Sequence, residues 1–173
     1  MTTMPAQTRT TTAGPQKTVD TKKTPEFRTL KFTSLAEVRC EVERLGEAGR
    51  AGALRCTGNW TAGQTLGHLA SWISYPYDGY PPELANPPWL IRAILKMKKK
   101  RLMRGPMPRG VRIPGHKNGT MGTEPLTLEE ALPRLLRELD RLEAAPPPRD
   151  NPVLGPLTHD EWKLMREHPV IGQ

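Results

Sequence analysis

One histidine in the middle of an apolar helical segment is the side chain best placed to do chemistry. Gln64, His68 and Trp72 recur one helical turn apart, on a direction beside an aliphatic stripe. An imidazole at that border faces a cleft between helices, where it can ligate a metal or exchange a proton. The alternative is a half-buried histidine that is hydrogen-bonded to a backbone carbonyl. A catalytic zinc-type site needs about three protein ligands, so His68 requires partners.

The remaining histidines and the two cysteines predict no second reactive site. His116 lies in a segment rich in glycine and proline, and His159 falls in the first turn of the last helix, where we expect it to face solvent. Cys40 lies opposite an apolar stripe and Cys56 lies in a loop. Neither thiol has a neighbouring base that would activate it as a nucleophile.

The densest run of positive charge covers residues 96–104, which read KMKKKRLMR. Because Trp89, Ile91, Ile94 and Leu95 precede it, one interpretation is contact with nucleic acid or an anionic membrane. The other is a solvated helix end whose cations suit the helix dipole. Successive lysines point all around the axis and no base-reading pattern accompanies them. We therefore expect a solvated helix end, and neither nucleic acid nor membrane as a partner.

Composition indicates one domain behind a flexible tail. The chain has 173 residues, a formal net charge of +8 and only two cysteines. It has no apolar run of about eighteen residues and no signal-peptide pattern, which favours a cytoplasmic location. Residues 1–26 hold almost no large apolar side chains, so we expect a disordered tail. Residues 27–173 form the predicted domain.

Four helix starts carry a Ser or Thr followed three residues later by Glu or Gln, which is the pattern of a capping box. The pairs are Ser34 with Glu37, Thr61 with Gln64, Thr127 with Glu130, and Thr158 with Glu161. Pro133 is expected to kink or weaken the third of these helices. Another helix is predicted over residues 88–103, and an irregular connection over residues 105–125.

Strand patterns are missing from the sequence, so these elements predict an all-α four-helix bundle with a long irregular middle connection. We expect the bundle to bury the aliphatic stripes of its helices. The predicted core comprises Leu35, Val38, Val42, Leu45, Leu66, Leu69, Ile73, Leu132, Leu135, Leu139 and Leu142.

Two motifs resemble the DinB/YfiT-like superfamily of four-helix bundles, in particular an uncharacterised branch of it. Residues 58–81 read GNWTAGQTLGHLASWISYPYDGYP and are similar to its second helix. Residues 151–162 read NPVLGPLTHDEW and are similar to the turn that leads into its last helix. The resemblance covers about residues 27–165 and implies a DinB-like bundle.

The resemblance also implies a divalent metal of zinc or nickel type, held by three histidines. His68 would be the first, and the other two would come from the last helix beyond Trp162. There His168 is the nearest histidine, and Pro169 and the end of the chain follow it. Gln64 would lie behind the metal ligands or line the pocket. The acidic residues that could replace a missing histidine are Asp160, Glu161 and Glu167.

Two functions follow for this sequence. The first is a metal-dependent thiol transferase or hydrolase that acts on a small-molecule thiol or another small substrate, with an incomplete histidine site at His68 and His168. In that mechanism the metal lowers the pKa of a bound thiol or water and makes it a nucleophile. The second is a non-catalytic helical bundle, a candidate homodimer, that has lost its metal site and serves interaction.

Overall fold

The computed structural model describes residues 30, 32–85, 88–100 and 122–167. Their helices are α1 (Leu35–Arg50), α2 (Ala62–Asp78), α3 (Pro82–Ala85), α4 (Trp89–Met97), α5 (Leu128–Ala144) and α6 (His159–Glu167). These residues form no strand, only an isolated bridge between Asn151 and Gly155. The prediction of an all-α fold is confirmed.

Helix α5 is the central element, because it packs against α1, α2 and α6. Helix α6 also contacts α1, whereas α3 and α4 belong to the connection between α2 and α5. The additional helix predicted over residues 88–103 begins at Trp89 but ends at Met97, with Lys98 as its C-cap. Its predicted end, the connection up to residue 121 and the predicted tail 1–26 lie outside the described residues. None of the described helices is long and apolar enough to cross a membrane.

All four helix starts lie where the capping patterns predict them. In α2 the Thr61 hydroxyl accepts from the Gln64 amide at 3.1 Å, and the Gln64 side chain accepts from the Thr61 amide at 3.0 Å. The boxes at α5 and α6 have the same reciprocal bonds. Helix α1 differs, because the Glu37 carboxylate binds the amide and hydroxyl of Thr33 and not the amide of Ser34.

The predicted core is buried, with three exceptions. Leu45, Leu69 and Leu132 are only half-buried. In α1 the innermost position is Gly46, where an added Cβ would lie 2.6 Å from a methyl group of Leu132. Because α5 approaches α1 at this glycine, Leu45 lies beside the contact and not within it. The buried hydrophobic residues that the sequence patterns did not single out are Phe32, Ala70, Leu84, Ala131, Leu154 and Trp162.

Two prolines lie inside helices. Helix α2 continues through Pro76, which is buried, to Asp78. It ends at Gly79, whose φ of 128° suits a residue without a Cβ. The kink or weakening that is expected at Pro133 does not interrupt α5, which runs from Leu128 to Ala144. Packing of α5 against α1 and α2 outweighs the hydrogen bond that the proline removes.

The start of α2 is held directly against the start of α5. A Cβ added at Gly63 would lie 2.1 Å from the carbonyl oxygen of Leu126 and 2.6 Å from the carbonyl carbon of Thr127. Only a glycine permits this approach of two backbones. The contact places the next turns of α2, which carry His68, at a defined position relative to α5.

Candidate functional site

His68 lies half-buried on α2 between two indole rings. Its ring centroid is 4.9 Å from that of Trp60 and 5.9 Å from that of Trp72, with interplanar angles of 60° and 65°. These are edge-to-face contacts, which aromatic pairs favour over flat stacking. Trp72 reaches His68 because it lies one turn further along α2, as predicted, whereas Trp60 comes from the loop before the helix cap.

The ring contacts continue beyond Trp72 and form a row. Trp72 lies 5.8 Å from Tyr75, and Tyr75 lies 6.5 Å from Tyr80. We call Trp60, His68, Trp72, Tyr75 and Tyr80 the aromatic row. Each of its rings is half-buried, so the row lies at the surface of the bundle and not in the core. The row presents apolar ring surface with one imidazole in it.

A polar cluster adjoins the row on the next face of α2. Ser71 is 1% exposed, and its hydroxyl donates to the Gly67 carbonyl at 3.0 Å and accepts from Arg134 at 3.1 Å. The other end of the Arg134 guanidinium donates to Glu124 at 3.1 Å. The cluster therefore ties the segment before α5 to the middle of α2.

Tyr75 belongs to both the row and the cluster. Burial raises the pKa of its phenol, and the nearby negative charge of Glu124 acts in the same direction. Arg134 and a hydrogen bond with Ser71 lower the pKa in part, but burial dominates. Tyr75 consequently stays neutral at physiological pH and can donate a hydrogen bond. The sequence did not predict this cluster, because its only local sign is that Ser71 and Tyr75 lie one helical turn apart.

In the described part of the chain, the predicted ligands of His68 do not form a three-residue metal centre with it. There, no three residues of the His, Cys, Asp or Glu type lie close enough to hold a metal ion. The Glu161 carboxylate instead binds Lys99 at 2.9 Å and accepts from the Thr158 amide at 3.0 Å. Asp160 is exposed, and the side-chain oxygen of Gln64 accepts a bond in the helix cap. His168 and the Glu167 side chain lie outside the part of the chain that the structure describes.

His159 does not face solvent, contrary to the prediction. It is half-buried, and its Nε2 lies 2.6 Å from the carbonyl oxygen of Leu142. Since a carbonyl only accepts, Nε2 carries the proton and donates it. Leu142 is in the last turn of α5, whose carbonyls have no partner within their own helix. The bond joins the end of α5 to the start of α6.

The two thiols have the surroundings that the sequence suggested. The described part of the basic run matches the expected solvated helix end only in part. Cys40 and Cys56 are both exposed. Lys96, Lys98 and Lys100 are exposed, but Lys99 is half-buried and pairs with a carboxylate of α6. Residues 101–104 and His116 lie outside the described residues.

The fold and the row together define an all-α helical bundle with an aromatic surface around one histidine. The chain belongs to the family described as Protein of unknown function (DUF1569), whose model matches residues 24–169. No curated protein and no solved structure is significantly similar to this chain. The prediction of an uncharacterised domain family is confirmed, and the link to the DinB/YfiT-like superfamily stays a prediction.

Proposed function

We propose that the aromatic row is a small-molecule binding site and that His68 is its reactive group. The observation that carries this proposal is the position of His68, half-buried between Trp60 and Trp72 in a row of partly exposed rings. Ligand sites in proteins are mostly apolar and contain a few well-placed polar groups. The row has this composition.

The chemistry of the row indicates the kind of ligand. Indole and phenol rings favour a flat or apolar group, while imidazole exchanges a proton near neutral pH and can donate or accept a hydrogen bond. A small molecule with an apolar part and a thiol or another weakly acidic group matches both. The imidazole would then hold or accept the proton of that group.

A binding experiment tests this assignment with benzyl mercaptan, which combines a flat ring with a thiol, and benzyl alcohol as the matched ligand without one. We expect His68→Gln to weaken the binding of benzyl mercaptan about tenfold, because one hydrogen bond to an ionised group is lost. Binding of the alcohol should change little. Titration followed by NMR measures both affinities. Equal thiol affinity in the wild-type and His68→Gln proteins would contradict the role of His68.

The second candidate is a DinB-like, divalent-metal-dependent thiol transferase or hydrolase. It is supported by the resemblance of residues 58–81 and by the half-buried position of His68 on α2. Among the described residues, however, no three possible donors lie close enough to hold a metal ion, so these residues do not fit a three-ligand centre. We therefore assign no chemical step to a metal.

Metal analysis of the purified full chain after exposure to Zn²⁺ or Ni²⁺ tests the second candidate. If His68 ligates a metal, the wild-type protein should bind about one equivalent of metal and the His68→Gln protein should lose it. His159→Gln is the matched control, because it removes another half-buried imidazole that already binds a carbonyl. Substoichiometric metal that His68→Gln leaves unchanged would contradict the metal-dependent function. If the thiol also fails to bind, the metal-free interaction bundle becomes the preferred function.

A further inference from the structure

Helix α4 turns its apolar side toward solvent. The exposed fractions are 78% for Trp89, 55% for Leu90, 38% for Ile94 and 80% for Met97. Large apolar side chains are normally buried, and several of them exposed on one short helix mark an interaction surface. This surface lies on a different element from the aromatic row.

The exposed apolar side chains lie together on one side of α4. At about 100° per residue, Trp89, Leu90, Ile94 and Met97 fall within an arc of about 140°. Leu95, which lies outside that arc, is half-buried. We call the four exposed residues the apolar face of α4.

Positive charges border the apolar face. Arg92 and Lys96 are exposed beside its Trp89 edge, and Lys98 is exposed beside its Ile94 edge. Lys100 adds a further exposed cation just beyond the helix. Residues 88–100 contain no aspartate or glutamate, and the whole chain carries a net charge of +8. The face is therefore complementary to an apolar surface that carries negative charge.

The bundle holds the end of α4 by a separate contact. Lys99 forms an ion pair of 2.9 Å with Glu161 on α6, and it donates to the Pro156 carbonyl at 3.3 Å. This contact uses one lysine of the run and leaves Lys96, Lys98 and Lys100 exposed. The ion pair thus joins the residues just after α4 to α6, while the apolar face of α4 is exposed.

We propose that the apolar face of α4 binds the surface of an anionic lipid bilayer. In such binding the apolar side chains enter the boundary between head groups and acyl chains, where tryptophan is favoured, and the cations contact lipid phosphates. Nucleic acid would satisfy the cations but leave the apolar face in water. A second copy of α4 would bring like charges together, so self-association through this face is disfavoured.

This proposal replaces the expectation of a solvated helix end without a membrane partner. That expectation was based on the directions in which the lysines point around the helix axis. It could not include the exposure of Trp89 and Met97, which depends on the tertiary structure. Because the lipid surface and the aromatic row use different residues, either proposal can fail without the other.

Co-sedimentation with vesicles tests the proposal on the full chain. We expect binding to vesicles of phosphatidylcholine mixed with phosphatidylglycerol, little binding to pure phosphatidylcholine, and weakening by salt. Lys98→Gln with Lys100→Gln should lower the partition coefficient about tenfold or more, because each cation near an anionic surface contributes about fivefold. Arg50→Gln with Arg137→Gln is the matched control, since both arginines are exposed on other helices.

A second pair of variants separates the apolar contribution from simple charge attraction. Trp89→Ser with Met97→Ser keeps every cation and should also lower binding about tenfold or more, because both side chains leave the interface. In the wild-type protein, Trp89 fluorescence should shift to shorter wavelength on binding, and Trp89→Ser should abolish that shift. No binding to anionic vesicles, or equal binding of the serine variant, would overturn the proposal. Binding to RNA but not to vesicles would overturn it as well.

Discussion

At the scale of single residues, two histidines show how similar positions acquire different roles. His68 and His159 both lie half-buried near the start of a capped helix. His159 contacts the unsatisfied end of α5 and is engaged by a carbonyl at 2.6 Å. His68 contacts two indole rings at the surface of the bundle. His159 thus has a structural role, whereas His68 lies among the surface rings of the proposed ligand site.

Replacement of His159 tests the structural assignment. We expect His159→Ala to lower the free energy of unfolding by about 1–3 kcal/mol, because the Leu142 carbonyl loses its donor in a half-buried place. Urea denaturation followed by circular dichroism measures the change. Arg137→Ala, at an exposed position of α5, should change the stability by less than about 0.5 kcal/mol. Equal stability of the two variants would refute the role of the hydrogen bond.

At the scale of helices, close backbone contacts and ion pairs decide how the elements meet. The start of α2 touches the backbone at the start of α5, and the end of α4 is paired with α6. At the other end of α2, Tyr77 donates to the Ala145 carbonyl at 2.6 Å, and the Arg141 guanidinium lies 4.2 Å from its ring centroid. Helices α2 and α5 are thus joined near both ends, which keeps the aromatic row in place.

The contact at Gly63 predicts an unusual response to alanine. Gly63→Ala should destabilise the protein by about 2–4 kcal/mol, since its Cβ would meet backbone atoms that cannot move aside. At Gly49 the added Cβ would meet a methyl group of Leu128, which can change rotamer. Gly49→Ala should therefore cost clearly less, because the gain in helix propensity offsets part of the strain. Thermal melts compare the two variants, and a smaller loss for Gly63→Ala would contradict this account.

The ion pair between α4 and α6 predicts a pH dependence. The hydrogen bond from Lys99 lowers the pKa of Glu161 below its ordinary value of 4.5, and the Thr158 amide lowers it further. A lowered folded-state pKa contributes stability above pH 4.5, and this stability disappears as the pH falls through the folded value. Lys99→Gln should raise the pKa of Glu161, as measured by NMR titration. Lys100→Gln is the control, and an unchanged Glu161 pKa in Lys99→Gln would disprove the pairing.

At the scale of the whole molecule, a short terminal helix depends on one large side chain. Helix α6 has 9 residues, and a helix of that length is not stable alone in water. Trp162 is 2% exposed and belongs to the core cluster formed with α1, α2 and α5. Burial of this indole and the cap at Thr158 keep α6 on the bundle.

Truncation of Trp162 should therefore affect the entire fold. We expect Trp162→Ala to lower the free energy of unfolding by about 3–5 kcal/mol, because a large cavity remains in the core. Trp162→Phe keeps much of the apolar volume and should cost about half as much or less. Denaturant unfolding monitored by far-ultraviolet circular dichroism compares them. A loss below about 1 kcal/mol in Trp162→Ala would show that α6 is held by other contacts.

Much of the fold was predictable from local patterns. The capping pairs located the starts of α1, α2, α5 and α6, because a cap depends on residues only three positions apart. The apolar stripes identified most of the core, since their spacing follows the helical period. The position of His68 on α2 next to Trp72 followed from the same period. By contrast, the stripes placed Leu45 in the core, where the approach of α5 made Gly46 the inner position.

The sequence by itself thus determined where the four capped helices begin, that the fold is all-α, and that a histidine borders an aliphatic stripe. Only the tertiary structure decided what surrounds that histidine, which carbonyl engages His159, and that α4 exposes its apolar face. The physical reason is the range of the interactions. Caps and helical periods act over a few residues, whereas burial, ring contacts and ion pairs join residues that are distant along the chain.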